Sequence, residues 1–258
     1  MIKKYPVGTI ARFTFVEAIK NRLFVLMIAG LVCIFGITLF LGEFAITETR
    51  EVQVSIMGYI GRLFAVFIAS LFVITTLVRE FNDKTIEFII ALPVPRYVYF
   101  FGKISGFMCL SVFVAIIVSF PVFFYTDLLQ AMIWSVSLIC ELFIIVALCL
   151  LCLFTLGHVT TAFFTVMAFY ILARSIGTIQ LISQSPIMES TSVSQLFMNQ
   201  LLDLIAFVIP DLGNFTRSDW LVYHTGNTDG LFMIAIQSLI YIFLLSSAAL
   251  FDLYRKEF

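Results

Sequence analysis

Residues 131–156 read AMIWSVSLICELFIIVALCLLCLFTL, 26 positions with one charge, Glu141. Gly157 and His158 follow, and then residues 159–179, VTTAFFTVMAFYILARSIGTI, again with one charge, Arg174. A helix rises about 1.5 Å per residue, so either run can cross the roughly 30 Å hydrocarbon core of a bilayer. Two residues between them leave room only for a tight turn. The pair therefore reads as two antiparallel membrane-crossing helices.

Working outward, four more runs have the same character: residues 23–41, 54–77, 104–124 and 230–250. The fold expected is an all-α membrane protein with six transmembrane helices. Composition agrees. Of the 258 residues, 62% are hydrophobic and 12% charged, and mean hydropathy is +1.10. Soluble domains carry about 25% charged residues, so the apolar excess must face lipid. The net charge of −1 gives nucleic acid no electrostatic foothold.

The chain is read as a single transmembrane domain over 1–258. Residues 1–22, with Lys3, Lys4, Arg12, Lys20 and Arg22, form an N-terminal helix in the membrane interface, its apolar side built from Ala11, Phe15, Ala18 and Ile19. Residues 23–156 hold the first four spans and 157–179 the fifth. Residues 180–229 are rich in Ser, Asp and Pro, with apolar runs too short to span. They read as an external loop with one or two short helices on the membrane surface. Residues 230–258 hold the sixth span and a tail. Because the first apolar run begins only near Leu23 and no A-x-A site follows it, no cleavable signal peptide is expected.

Cation bias orients the chain. Even span parity puts both termini on one side with the 79–103 link. That side gathers eleven of the 15 Lys and Arg residues: Lys3, Lys4, Arg12, Lys20, Arg22, Arg79, Lys84, Arg96, Lys103, Arg255 and Lys256. The other side holds Arg50 and Arg217. Both termini are therefore expected in the cytoplasm.

The link REFNDKTIEFIIALPVPRYVYFFGK, residues 79–103, has its own design. Asn82 can cap a helix start, Asp83 suits the positive end of its dipole, and Pro93 and Pro95 stop it. Ile86, Ile89 and Ile90 make an apolar face opposite Asp83, Lys84 and Glu87. A short cytoplasmic helix of this kind either docks into a partner's groove or merely turns the chain around. The residues alone leave both open.

The run Glu80, Lys84-Thr85-Ile86-Glu87, Leu92-Pro93-Val94-Pro95-Arg96 and Gly102-Lys103 resembles the signature of type-2 ABC exporter permeases, roughly E-x-x-x-G-T-x-E-x-L-x-x-x-P-V-x-R with a later G-K. Lys84 stands where glycine is usual and Ile89 where leucine is frequent. Within the family it most resembles the branch associated with multicopper-enzyme maturation. The resemblance implies a permease subunit of the bacterial inner membrane and makes this link a coupling helix. Glu80, Asp83, Lys84, Thr85, Glu87, Pro93 and Arg96 would then contact a separate ABC ATPase. It further implies two ATPase copies and a second permease copy or homologue, with ATP and Mg on the ATPase. No phosphate-binding loop of the G-x-x-x-x-G-K-[ST] type occurs here, so this chain is expected to bear no cofactor and to catalyse nothing itself.

Arg62, Glu141 and Arg174 lie inside apolar spans, where a lone charge costs several kcal/mol and faces a partner or a wet path. Their depths match, which predicts one cluster, serving either to fix helix packing or to line a transport path. His158 and His224 fall on opposite sides and complete no metal site. Cys149 and Cys152 share a helix face and read as small packing residues, with a redox or soft-metal pair as the minor alternative. Asn214-Phe215-Thr216 is a formal glycosylation sequon that matters only in a secretory-pathway host. The 30 phenylalanines are lipid-facing bulk and helix packing. A stand-alone secondary transporter or membrane-embedded enzyme is the rival class. The first would favour inverted repeats and Gly/Pro-broken spans, the second a Ser/His or Asp/Asp pair at one depth; the sequence shows no repeat, no central proline and no such pair, although Gly30 and Gly36 lie within the first span.

Overall fold

The computed structural model describes residues 7–44, 49–83, 95–184, 200, 202, 204, 205 and 208–255. Among the described residues the α-helices with defined bounds are α1 Val7–Lys20, α2 Arg22–Phe44, α3 Thr49–Asn82, α4 Arg96–Ser119, α5 Leu128–Leu156, α6 Val159–Gln184, α7 Ser218–Tyr223 and α8 Thr228–Arg255. Short 3-10 turns cover Phe120–Phe124 and Leu212–Asn214. Six helices, α2 to α6 and α8, are long and apolar enough to cross a membrane. The chain is an all-α membrane protein, and the described residues contain no strand.

The helices outrun the apolar stretches that predict them. α3 starts at Thr49 rather than near residue 54 and continues to Asn82 rather than stopping at 77. Hydropathy marks only the part in hydrocarbon. Polar residues such as Arg79 extend the helix into water, where an ion pair of 3.6 Å with Asp83, just past its end, adds modest support.

α5 is the hub. It packs against α3, α4, α6 and α8, and Trp134, Leu138, Leu142, Ile145, Cys149 and Leu153 on it are fully enclosed. Both cysteines of the C-x-x-C are buried free thiols. The turn to α6 is made by Gly157 at φ 73°, a left-handed conformation that glycine adopts without cost. Its N–H donates to Leu153 O at 3.0 Å, closing the end of α5. α2 and α8 lie outside this centre and expose Val32, Phe40, Phe232 and Phe243, the surface expected of lipid-facing helices.

α1 packs lengthwise against α4. Ile10, Thr14 and Ala18, one row at i,i+4 spacing, turn inward beside Ala11 and Phe15. Phe15 meets Phe113 edge-on at 5.9 Å. The close approach is permitted by Gly102 and Gly106. A Cβ on Gly106 would stand 2.8 Å from Thr14 Cβ and 2.9 Å from Ala11 O. This is the small-x-x-x-small device by which membrane helices bring their backbones together. Ala18 and Phe15 belong to the face expected from sequence. Exposed Phe13 and Val16 lie on the other side with Arg12 and Lys20.

Candidate functional site

Two groups of buried charge stand at opposite ends of the bundle. The end that carries the termini also holds the last turn of α3 and the first turns of α4. There Glu80 forms an ion pair with Lys103, through Oε1 and Nζ. Tyr99 Oη donates to the other carboxylate oxygen at 2.8 Å. Tyr99 and Lys103, four apart, fall on one face of α4 and reach Glu80 together. Glu80 is 7% exposed and Lys103 5%. Glu17 of α1 lies near enough that burial, and then the negative charge of Glu80, raise its carboxyl above the usual 4.5.

Glu80 therefore differs from the expectation that it offers its charge to a partner subunit: its carboxylate is consumed inside the chain. Asn82 is the last residue of α3, and the Asp83 N–H still donates to Arg79 O at 2.9 Å; the helix that Asn82 is expected to cap lies outside the described residues. Asp83 is exposed and paired with Arg79. Arg96 donates from Nη1 to Tyr254 O at 3.1 Å and Leu253 O at 3.3 Å, the open carbonyls at the end of α8. Thr155 Oγ1 donates to Asp252 at 2.5 Å and ties α5 to the same end of α8. Lys84, Thr85, Glu87 and Pro93, with the rest of the expected coupling helix, lie outside the described residues.

At the other end, Arg62 from α3, Glu141 from α5 and Arg174 from α6 converge. Arg174 Nη1 lies 4.0 Å from Glu141 Oε1. Between them the chain has inserted a piece of irregular backbone, residues 211–217. Leu212, Phe215 and Thr216 in it are fully buried. Sequence reading places this stretch on the surface. The structure buries Leu212, Phe215 and Thr216 and leaves Asn214 and Arg217 exposed; the buried carbonyls find fixed donors. Arg174 Nη1 donates to Phe215 O at 2.7 Å and also to Leu212 O. Arg62 Nη1 donates to Thr216 O at 2.8 Å. Irregular backbone is tolerated at membrane depth only where protein satisfies it in this way.

Thr216 is the hinge-pin of the cluster. Its N–H donates to Ser137 Oγ at 2.9 Å, and its hydroxyl donates to Glu141 Oε2. Ser137 and Glu141 are one turn apart on α5, so they present both acceptors on one face. The residue has φ 43°, which a β-branched side chain rarely adopts. A conformation of this kind costs about 1–3 kcal/mol and persists where its surroundings over-determine it. Three hydrogen bonds, to Arg62 of α3 and to Ser137 and Glu141 of α5, do so here. Thr216, Ser137 and the 211–217 carbonyls are participants that sequence reading missed. One signal was present: two intramembrane arginines against one glutamate need further acceptors.

Further bonds knit the loop to the helix ends. Thr126 Oγ1 donates to Leu221 O at 2.9 Å, and the Gly226 N–H donates to Gln130 Oε1 at 3.1 Å. Arg62, Arg174 and Arg217 line a cavity of about 650 Å³ that opens beside the cluster. No group of three or more His, Cys, Asp or Glu suited to a metal occurs among the described residues. No protein-family model and no curated protein matches the chain.

Proposed function

We propose that this chain is the permease subunit of an ATP-driven exporter of the type-2 ABC class. It would supply the membrane path and pass the motion of a separate ATPase into it. The observation that carries the reading is the Glu80 to Lys103 motif between α3 and α4. Both flanks of that motif are anchored in the bundle: Glu80 and Lys103 to each other, Arg96 to the end of α8. A segment that must transmit force needs anchored ends, and these would carry a push into α3, α4 and α8 at once. The cation bias supports a cytoplasmic location for this end. In this reading ATP and Mg belong to two ATPase copies, a second permease copy completes the path, and the membrane is the inner membrane of a bacterium.

Coexpression with an ATPase encoded beside this chain provides the test. The ATPase should copurify, and Glu87→Lys should lower assembly or coupled ATP hydrolysis while the permease still inserts. Charge reversal at a desolvated contact costs several kcal/mol through like-charge juxtaposition. Transport by the purified chain alone, with no ATPase bound, would instead establish the secondary-transporter alternative.

A further inference from the structure

The cavity of about 650 Å³ lies within the range of small-molecule sites. Its charged lining is three arginines, Arg62, Arg174 and Arg217, against two aspartates, Asp211 and Asp219. Most of these charges are committed. Arg217 pairs with Asp219 at 3.0 Å. Asp211 accepts from the Gly213 N–H at 3.0 Å and from Asn214 Nδ2 at 2.7 Å, both within its own turn. Arg174 shares Glu141 with Thr216.

Arg62 is the exception. It is 1% exposed, and among the described residues no carboxylate lies within 4.0 Å of it. Its Nη1 reaches the Thr216 carbonyl, and Tyr59 stands over the guanidinium at 5.1 Å from the ring centre. Its Nε has no hydrogen-bond partner. A carbonyl dipole and a ring face do not neutralise a full charge held out of water, and a buried ion without a counter-ion is strongly destabilising. This arginine borders the cavity, and with Arg217 set against Asp219 and Arg174 against Glu141 it is the cavity arginine that has no paired carboxylate among the described residues.

We infer that the cavity is a binding site for a singly charged oxyanion, a carboxylate or a phosphodiester, seated against Arg62 and Arg174. Guanidinium groups favour such oxyanions through planar paired donors. The anion comes either from a soluble molecule reaching the end opposite the termini or from a phospholipid headgroup. The site stands on Arg62 and its surroundings, so it does not depend on the exporter reading.

The full chain, purified in uncharged maltoside detergent, is unfolded by heat while acetate or dimethyl phosphate is titrated in. A parallel arm adds phosphatidylglycerol to the micelles. The expected result is a saturable rise of several degrees in the unfolding midpoint. Thr178→Trp, which fills the cavity from an exposed position on α6 and leaves the arginine contacts intact, should remove it. A rise with the soluble anions identifies a soluble ligand, and a rise with phosphatidylglycerol alone identifies a headgroup. As a second measurement, a thiol at Thr178→Cys should react faster with a sulfonate-bearing reagent than with its trimethylammonium counterpart, relative to the parent chain. No midpoint rise in either arm, a rise undiminished by Thr178→Trp, or a cysteine that prefers the cationic reagent would overturn the assignment.

Discussion

The two ends of the bundle bury charge in different ways. At the end with the termini, charge meets charge: Glu80, Lys103 and Tyr99 form a closed side-chain set joining two helices. At the opposite end the arginines give their donors mainly to the backbone of residues 211–217, and Glu141 holds the hydroxyl of Thr216 in that loop. The first arrangement fixes helix to helix. The second fixes a loop with a single 3-10 turn among long α-helices, so its loss exposes unsatisfied backbone as well as an unpaired ion. The clamp should therefore be the more fragile of the two.

The largest effect is expected at that clamp. Arg174→Gln strands Glu141 and releases two carbonyls, with an expected loss of about 3–5 kcal/mol in detergent unfolding. Glu141→Gln should also destabilise. The double change should recover only a minor part, because the carbonyls of Leu212 and Phe215 remain unserved. Full recovery in the double variant would show that the two ends work alike. At the other end Lys103→Met leaves Glu80 buried without its cation, for a loss of about 3 kcal/mol. Here Glu80→Gln with Lys103→Met should recover most of it, since no backbone group is released.

The middle of the range is Gly106→Ala. The new methyl meets Ala11 O and Thr14 Cβ at under 3 Å. Overpacking of this kind costs about 1–3 kcal/mol, and protease cleavage within α1 should accelerate before global unfolding changes. The smallest effect is Glu17→Gln. A carboxyl held above its usual value favours its protonated form in the folded chain. The stability it contributes is complete below pH 4.5 and lost as pH rises through the raised value. The variant should thus match the parent below pH 4.5 and be slightly more stable at pH 7. A destabilised variant at pH 7 would assign Glu17 a needed negative charge beside Lys103.

The six crossings were legible because lipid imposes a length and forbids charge, and a run such as residues 131–156 meets both demands with one exception. Helix ends were less legible, since residues such as Thr49 or Asn82 leave the hydrocarbon and answer to ordinary helix propensity in water. The 211–217 insertion was not legible from its own residues. Asp211, Gly213, Asn214 and Thr216 read equally well as a surface turn, and what buries Thr216 with its neighbours Leu212 and Phe215 lies on three helices far away in sequence. The excess of Arg62 and Arg174 over Glu141 hinted at it. The packing of α1 on α4 had a local signal in the spacing of Gly102 and Gly106. Glu80 finds its partners, Lys103 and Tyr99, inside the chain, which a docking motif does not report.

α3 contains no proline and runs unbroken through 34 residues, about 51 Å. Arg62 and Glu80 are 18 residues apart on it, which at 3.6 residues per turn is five whole turns. They therefore project in the same direction, about 27 Å apart along one rod. A rigid shaft carrying two teeth in phase cannot turn at one without turning at the other. A rotation that pulls Glu80 away from Lys103 sweeps Arg62 off the Thr216 carbonyl by the same angle.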